Sequence, residues 1–273
     1  MPTIIHPTAI VDPKAQLGVD VEIGPHSIIE AGVSLGDRTR IGPLVHIQGT
    51  TTLGADNQVY TGATLGFPPQ YLGFDGSPTR LVIGDRNVIR EYVSIHRGLN
   101  HESETRIGDD CFLMATAHVA HDCQIGNRVI LVNGVLLAGH VTVGDRANLS
   151  GNAVFHQFVR IGAMAMVSGL SWVNKDVPPF ALVEGHPARV RGLNSIGMKR
   201  AGIAPAARLE IKRVLRQVNA PGRSHRENAA ALDLASLCPE ARLLAEFYLD
   251  SKRGVLPMAR AGAETPGDAA DAD

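Results

Sequence analysis

Residues 107–173 read IGDDCFLMATAHVAHDCQIGNRVILVNGVLLAGHVTVGDRANLSGNAVFHQFVRIGAMAMVSGLSWV. In this stretch a large apolar residue returns at every sixth position, beginning with Ile107. The same interval holds over residues 5–65 and 83–95, which gives 26 positions that are all aliphatic except Phe155. A repeat of six residues therefore dominates the chain.

A period of six matches neither a 3.6-residue helix nor the two-residue alternation of a simple strand. It fits a solenoid with flat sides, in which each side is a short strand plus a corner and one aliphatic side chain points inward. Three sides make a coil of 18 residues, so 26 repeats form nearly nine coils and a prism about 40 Å long. Glycine follows 11 of the 26 positions, which indicates a corner that crowds a side chain or requires an unusual φ.

The repeat is interrupted twice, at about residues 66–81 and 97–106, and both segments are rich in turn-forming residues. A solenoid accommodates such insertions as loops on one face. Beyond the last repeat, residues 207–218 and 240–253 place apolar side chains at three-to-four spacing, which predicts amphipathic helices covering the open end.

These patterns divide the chain into three regions. We expect a β-helix domain over residues 1–190 and a helical domain over 191–256. Residues 257–273 contain few large apolar side chains, so we expect this tail to be disordered.

Composition excludes several classes of partner and location. The 26 Lys and Arg residues balance 27 Asp and Glu residues, so no whole-chain field attracts nucleic acid. The three cysteines, Cys111, Cys123 and Cys238, form no CxxC pair, which is typical of a reducing compartment. The chain has no run of 18 apolar residues, and residues 1–13 show no basic region followed by a long apolar run. We therefore expect a cytoplasmic protein without stable membrane insertion.

Histidines cluster in AHVAHDCQIG at residues 117–126. Because Val119 occupies an inward position, His121 should lie at a corner that faces outward. Moving one full coil along the chain from His121 leads to Gly139, and a second coil leads to Gln157. Asp122 and His140 share the neighbouring column. The repeat therefore predicts that segments distant in sequence meet beside His121.

A surface imidazole beside a carboxylate and an unobstructed glycine N–H provides two parts of an acyl-transfer site. The imidazole could take a proton from an attacking hydroxyl, and the N–H could bind the oxyanion. The string GVSLG at residues 32–36 matches the GxSxG pattern but belongs to the six-residue repeat, so direct transfer without a covalent intermediate is the simpler interpretation. Simpler interpretations remain open, because corner histidines also contact solvent or a second subunit and an aspartate can cap an Asx-turn.

Five segments carry a resemblance to a known family: IHRG at 95–98, AHVAHDCQIGN at 117–127, LAGHV at 137–141, HQF at 156–158 and DVPP at 176–179. With these segments the chain resembles, over about residues 5–256, the family of acyl-carrier-protein-dependent UDP-N-acetylglucosamine O-acyltransferases. The resemblance implies a left-handed parallel β-helix and a homotrimer with active sites between subunits. It also implies transfer of an (R)-3-hydroxyacyl chain from acyl carrier protein to the 3-hydroxyl of UDP-N-acetylglucosamine, the first step of lipid A synthesis.

The resemblance also implies roles for individual residues. His121 becomes the general base, Asp122 its orienting partner and Gly139 the oxyanion donor, while Gly169 becomes a ruler of acyl-chain length. No metal and no cofactor are expected, since the carrier-bound acyl group is a substrate. The implied substrate-binding or site-lining positions are Gln70, His96, His118, His140, His156, Gln157, Asn194 and Arg200.

Four positions depart from the family pattern. Tyr71 and Gly73 replace an aspartate and a lysine, Ile196 replaces an acidic residue, and Ala201 replaces the second arginine of a pair. These positions handle the sugar and diphosphate in the family. A related enzyme that acts on a modified UDP-sugar, including one with a 3-amino group, is therefore the alternative.

Residues 189–226 hold ten Lys and Arg and a single acidic residue, Glu210. This charge favours an acidic acyl carrier protein as the donor, although a solvated helix face has the same composition. Other functions stay open: a zinc-dependent trimeric β-helix hydratase using His118 and His121, a coenzyme A-dependent acetyltransferase, and a purely structural trimer. The sister N-acyltransferase of the pathway is disfavoured because the solenoid begins at once, with no domain before it.

Overall fold

A computed structural model describes residues 2–259 of the chain, which form a three-sided prism of short strands followed by helices. The first nine strands are β1 (Ile4–Ile5), β2 (Ile10–Val11), β3 (Gln16–Leu17), β4 (Glu22–Ile23), β5 (Ile28–Ile29), β6 (Ser34–Leu35), β7 (Arg40–Ile41), β8 (His46–Ile47) and β9 (Thr50–Leu53). The next ten are β10 (Gln58–Val59), β11 (Thr64–Phe67), β12 (Arg80–Ile83), β13 (Val88–Ile89), β14 (Ser94–His96), β15 (Glu104–Ile107), β16 (Phe112–Leu113), β17 (His118–Val119), β18 (Gln124–Ile125) and β19 (Ile130–Leu131). The last nine are β20 (Leu136–Leu137), β21 (Thr142–Val143), β22 (Asn148–Leu149), β23 (Val154–Phe155), β24 (Arg160–Ile161), β25 (Met166–Val167), β26 (Trp172–Val173), β27 (Ala181–Gly185) and β28 (Ala188–Leu193).

Each strand from β1 to β26 contains one position of the six-residue repeat, and every third strand belongs to the same sheet. Sheet A runs from β1 through β25 to β27 and β28, sheet B from β2 to β26, and sheet C from β3 to β24. Strands are parallel and in register across one coil, as in the pairing of Ile5 with Ile23. The predicted length of the coil is therefore confirmed.

The aliphatic position of each repeat fills the prism interior. From Ile23 onward these side chains are buried, whereas Ile5 is 44% exposed because, within residues 2–259, only one neighbouring coil packs against it. Full burial of one such side chain stabilises the fold by roughly 1.5–3 kcal/mol. Cys111 and Cys123 occupy smaller interior positions, and burial raises the pKa of the Cys123 thiol to about 12. Both are free thiols, in line with the absence of a disulfide framework.

Crowding explains the glycines that follow the aliphatic positions. A Cβ placed on Gly24 would lie 2.8 Å from the carbonyl carbon of Gly42 in the next coil, although φ at Gly24 is ordinary. Left-handed φ falls two residues later and on ordinary residues, for example on His26 with φ 59°. Glycine is therefore needed for the close approach of coils, and φ is not the reason except at Gly66, where the first insertion begins and φ is 77°.

Both insertions leave the prism at the corners that join sheet B to sheet C, here called the B–C corners. The first connects β11 to β12 and the second connects β14 to β15. Across the first, Thr64 pairs with Ser94, and across the second, Ser94 pairs with His118. Both pairings span more of the chain than a regular coil does, and the additional residues project as loops on one side of the molecule.

The segment after the prism contains elements that the periodicity did not predict. Strands β27 and β28 form an antiparallel hairpin that closes sheet A, and β27 also pairs in parallel with β25. The helices are α1 (Ser195–Arg200), α2 (Pro205–Val218), α3 (His225–Ala230), a 3-10 turn at Leu234–Ser236, and α4 (Pro239–Asp250). Helices α2 and α4 match the two predicted amphipathic segments, and α4 ends at Asp250 rather than at residue 253.

The helices share a second apolar core that is separate from the prism interior. Ile211 and Val214 of α2 pack with Leu244 and Tyr248 of α4 in this core. The chain then returns to the prism, where Met258 bridges to Val190. Residues 257–259 of the predicted disordered tail thus run beside β28, and residues 260–273 lie outside the described residues. Within residues 2–259, no helix has both the length and the apolar character needed to cross a membrane.

Candidate active site

The B–C corner of the coil that contains β17 carries His121 and Asp122. Val119 is fully buried, and two residues later His121 faces outward with 16% of its side chain exposed. Asp122 adopts left-handed φ of 59°, a conformation that aspartate tolerates better than most residues. Its N–H donates to Thr105 Oγ1 at 2.8 Å, which fixes the corner. The turn therefore presents both side chains to the outside.

His121 and Asp122 form a hydrogen-bonded pair. Nδ1 of His121 lies 2.8 Å from Oδ2 of Asp122. Because a carboxylate only accepts hydrogen bonds, Nδ1 carries the proton and Nε2 keeps a free lone pair. The second insertion also contributes, since the N–H of Leu99 donates to Asp122 Oδ2 at 3.2 Å. The pair therefore leaves Nε2 able to accept a proton.

Gly139 lies directly beside the His121 ring. A Cβ on Gly139 would be 2.5 Å from Cε1 and 2.7 Å from Nε2 of His121, so only glycine leaves the ring in this place. Among residues 2–259, no acceptor binds the Gly139 N–H. At the corners joining sheet C to sheet A, the N–H at the equivalent position donates to a side chain of the next coil. For example, the N–H of Val19 donates to Asp37 Oδ1 at 2.8 Å. The B–C corner thus offers an unpaired donor close to Nε2.

His140 continues this cluster from the next coil. Its Nε2 lies 3.6 Å from Asp122 Oδ2, and its ring stacks on Phe158 with centroids 4.5 Å apart and an interplanar angle of 6°. Burial lowers the pKa of His140, and the Asp122 carboxylate partly opposes this effect. His140 is therefore held in a fixed plane and favours the neutral form.

His96 and His118 lie on the sheet B side of the same corner, with ring centroids 5.3 Å apart. The Nδ1–H of His96 donates to the carbonyl of Pro68 at 2.6 Å, and Ser94 Oγ lies 2.8 Å from Nδ1 of His118. Burial lowers the pKa of both rings and brings that of His118 to about 4. Both imidazoles are neutral near pH 7 and can form hydrogen bonds with uncharged hydroxyl and carbonyl groups.

A groove of about 560 Å³ runs along the outer face of sheet B beside these residues. Its walls are mainly apolar, with a few polar groups suited to orienting a ligand. His156 is fixed by Arg253, whose Nη2 donates to its Nδ1 at 2.8 Å. Gln157 is exposed one coil beyond Gly139. The groove lining includes Gln70, His118, Leu136, Val154, His156 and Trp172.

Three predicted site residues lie elsewhere in the protomer. Gly169 sits at a corner between sheets A and B, where a Cβ would be 3.1 Å from the Gly151 carbonyl oxygen. Asn194 caps α1 by accepting from the Gly197 N–H, and its Nδ2 donates to the carbonyl of Met164 at a corner between sheets C and A. Arg200 is exposed in the last turn of α1. One protomer therefore does not bring these residues to His121.

The positions that depart from the family pattern lie on two surfaces. In the first insertion the Tyr71 ring packs against Gly73, where a Cβ would be 2.8 Å from Cε1 of the ring. Tyr71 is 56% exposed. In the helical region Ile196 is 66% exposed on α1, and Ala201 forms the C-cap of that helix. Within residues 2–259, no hydrogen bond, ion pair or ring contact joins either surface to His121 or Asp122.

One group of side chains could hold a metal ion. His121, Asp122 and His140 offer donor atoms that all lie within 4.8 Å of one another. The sequence suggested His118 and His121 as a possible pair of zinc ligands. In the structure His118 belongs to a separate cluster with Ser94 and His96.

Several contacts at the site were missed by sequence reasoning. Phe158 could have been found, since it lies one regular coil after His140 in the same column. Ser94 and Leu99 could not, because the insertions change the spacing to 24 and 23 residues. No pattern in the sequence indicates Arg253, which lies 97 residues from His156.

Comparisons with known proteins agree with this geometry. Residues 176–256 match a family model described as UDP N-acetylglucosamine O-acyltransferase, domain 2, and residues 104–139 match a bacterial transferase hexapeptide model. An acyl-[acyl-carrier-protein]–UDP-N-acetylglucosamine O-acyltransferase from Halorhodospira halophila is 47% identical over 256 residues, covering 93% of this chain and 99% of that protein. The protein of the same name from Verminephrobacter eiseniae is also 47% identical, covering 92% of this chain and 98% of that protein.

A solved structure of UDP-N-acetylglucosamine acyltransferase from Campylobacter jejuni has a TM-score of 0.88 and 35% identity. The match covers 94% of this chain and 100% of that chain. The chain is therefore a left-handed parallel β-helix protein and belongs to the family of acyl-[acyl-carrier-protein]–UDP-N-acetylglucosamine O-acyltransferases.

Proposed function

We propose that this protein transfers an (R)-3-hydroxyacyl chain from acyl carrier protein to the 3-hydroxyl of UDP-N-acetylglucosamine, in lipid A synthesis. The observation that carries the proposal is the free Nε2 of His121 beside the unpaired N–H of Gly139. The names of the relatives from Halorhodospira halophila and Verminephrobacter eiseniae support the same donor and acceptor.

The transfer is direct and uses one base. Nε2 of His121 takes the proton of the sugar 3-hydroxyl while the oxygen attacks the thioester carbonyl carbon. The Gly139 N–H donates to the resulting oxyanion, and Asp122 holds the Nδ1–H of His121. The intermediate then collapses with cleavage of the C–S bond, and His121 returns the proton to the departing thiolate. The base contributes about 10²- to 10⁴-fold and the oxyanion donor about 10²- to 10³-fold.

The groove on sheet B is where we place the reacting parts of both substrates. Gln70, His118 and His156 line it and supply hydrogen-bonding groups beside apolar walls. His96 borders the His118 ring, and Gln157 follows Gly139 along the corner. No cofactor takes part in the proposed reaction.

The active enzyme is proposed to be a homotrimer with sites between subunits. His121, Gly169 and Asn194 lie at three different corners of one prism. If the general base, the residue that limits the acyl-chain length and the nucleotide-binding residue all serve one reaction, a partner subunit must supply some of them. Cyclic symmetry repeats the same contact at each interface.

Helix α2 is the proposed docking surface for the carrier protein, within a helical domain of residues 191–256. Lys212, Arg213 and Arg216 are exposed on it, and Arg213 pairs with Glu210 at 2.8 Å. A positive face speeds encounter with an acidic carrier protein. A carrier protein as acyl donor fits a cytoplasmic location.

The test is mass spectrometry of the product formed from a panel of acyl carrier proteins and UDP-sugars. We expect an O-acylated UDP-N-acetylglucosamine, and preference for a 3-amino sugar would instead support the alternative acceptor raised by Tyr71 and Gly73. His121→Ala should lower the rate at least about 100-fold. Retention of more than about a tenth of wild-type activity in a folded His121→Ala protein would contradict the base assignment.

A further inference from the structure

The cluster formed by His121, Asp122 and His140 has the ligand chemistry of a zinc site. We propose that it binds one Zn²⁺ per chain and that the bound ion inhibits the enzyme. Two imidazoles and one carboxylate with an open fourth position form a common protein site for zinc. The consequence for catalysis rests on the proposed role of His121, whereas binding itself does not.

The distances between donor atoms suit tetrahedral coordination. Bonds of about 2.0–2.1 Å place neighbouring ligand atoms about 3.4 Å apart. Nε2 of His140 lies 3.6 Å from Asp122 Oδ2, which is close to this value. Nδ1 of His121 lies 2.8 Å from the same oxygen because a proton joins them. Replacing that proton by an ion requires this separation to open by about 0.6 Å. The donor atoms of His121 and His140 lie within 4.8 Å of each other, so a small adjustment of the two rings brings all three ligands around one ion.

The surroundings hold the three ligands in place. Asp122 is fixed by the Thr105 and Leu99 contacts, and the His140 ring is stacked on Phe158. The side chains of Asp122 and His140 are 10% and 28% exposed, so the cluster is ordered yet open to a small ion. Fixed ligands with remaining access are what a metal site requires.

Zinc would inhibit by fixing the wrong tautomer of His121. Coordination through Nδ1 uses the lone pair of that nitrogen, so the proton of the neutral imidazole must reside on Nε2. An Nε2 that already carries a proton cannot accept another from the sugar hydroxyl. The ion also occupies Asp122 Oδ2, which otherwise holds the Nδ1–H.

Isothermal titration calorimetry tests the site. Zn²⁺ is titrated into tag-free, metal-free protein in the absence of substrates. We expect one saturable ion per chain and at least about a tenfold weaker Kd in each of His121→Ala, Asp122→Ala and His140→Ala. The matched control is His46→Ala, which removes another histidine bonded to a carboxylate, Glu30 at 2.7 Å, and should leave the Kd unchanged. Circular dichroism establishes that each variant is folded.

Anomalous diffraction at the zinc edge provides a second measurement that does not depend on activity. A peak between the three side chains supports the proposal, even if the protein fails to acylate any UDP-sugar. Absence of saturable binding, or binding that the three variants leave unchanged, would overturn it. The inhibition is tested separately: zinc should suppress transfer at the concentration at which it binds, and EDTA should restore the rate. Full transfer by the zinc-loaded enzyme would refute the tautomer argument.

Discussion

At the scale of single residues, Gly139 brings its backbone against the His121 ring, which only the absence of a side chain allows. Its Cα lies against the His121 ring, and its N–H has no acceptor within residues 2–259. Its φ is ordinary, so alanine is compatible with the backbone. Glycine is required here because any side chain would collide with the imidazole, and not because of backbone strain.

The variant Gly139→Ala should therefore affect activity much more than stability. The new Cβ would displace the His121 ring, and a shift of about 1 Å can cost about 100-fold in rate. We expect a loss of this size in kcat, with a melting temperature close to that of wild type. The control is Gly192→Ala, where nothing lies within 4 Å of the new Cβ. Equal activity of both variants would disprove the steric argument.

The half-buried His118 ring makes stability depend on pH. Its pKa is about 4 in the folded protein and about 6.5 in the unfolded chain. The unfolded state therefore binds more protons between these values, and stability falls as pH decreases from about 6.5 to about 4. Urea unfolding across this range should show a smaller decline in His118→Gln than in wild type. Parallel curves for the two proteins would mean that His118 titrates normally.

At the scale of elements, the second insertion is tied to the site through its backbone. Gly98 donates its N–H to the carbonyl of Arg80, and the N–H of Asn100 donates to Ser103 Oγ. This arrangement directs the N–H of Leu99 at the Asp122 carboxylate. The loop therefore orients Asp122, which in turn orients His121.

Removing that one N–H tests the role of the loop. Leu99→Pro lacks the donor, whereas Leu99→Ala keeps it and removes only the side chain. A hydrogen bond to a charged group contributes about 1.5–3 kcal/mol, so we expect kcat to fall at least about tenfold in the proline variant and little in the alanine variant. Similar kcat values for both would show that the amide does not position Asp122.

At the scale of the whole molecule, three corners of one prism carry residues assigned to one reaction. The proposed trimer resolves this separation, and it predicts complementation between inactive subunits. His121→Ala and Arg200→Ala chains should each be poorly active alone. In randomly mixed trimers, about a quarter of the sites would receive both intact contributions. Sedimentation equilibrium should give three times the chain mass, and a monomer or a lack of recovery on mixing would contradict shared sites.

The sequence by itself determined the prism and the central pair of the candidate site. In a solenoid each coil contacts only its neighbours, so a constant coil length translates directly into stacking. For this reason the neighbours of His121 could be predicted by moving one coil length along the sequence. Helices α2 and α4 could be predicted from the spacing of their apolar residues. The proximity of His140 to Asp122 in the proposed zinc site can be predicted in the same way, because these two residues are one coil apart.

Only the tertiary structure determined the contacts that cross the insertions and the chain end. The six-residue period does not specify the path of a loop. The hydrogen bonds from Leu99 to Asp122 and between Ser94 and His118 therefore could not be predicted from the number of residues in a coil. The bond from Arg253 to His156 depends on the chain returning to the prism after α4. Local repetition specifies neighbours along the solenoid axis, whereas contacts between distant segments depend on how irregular loops pack.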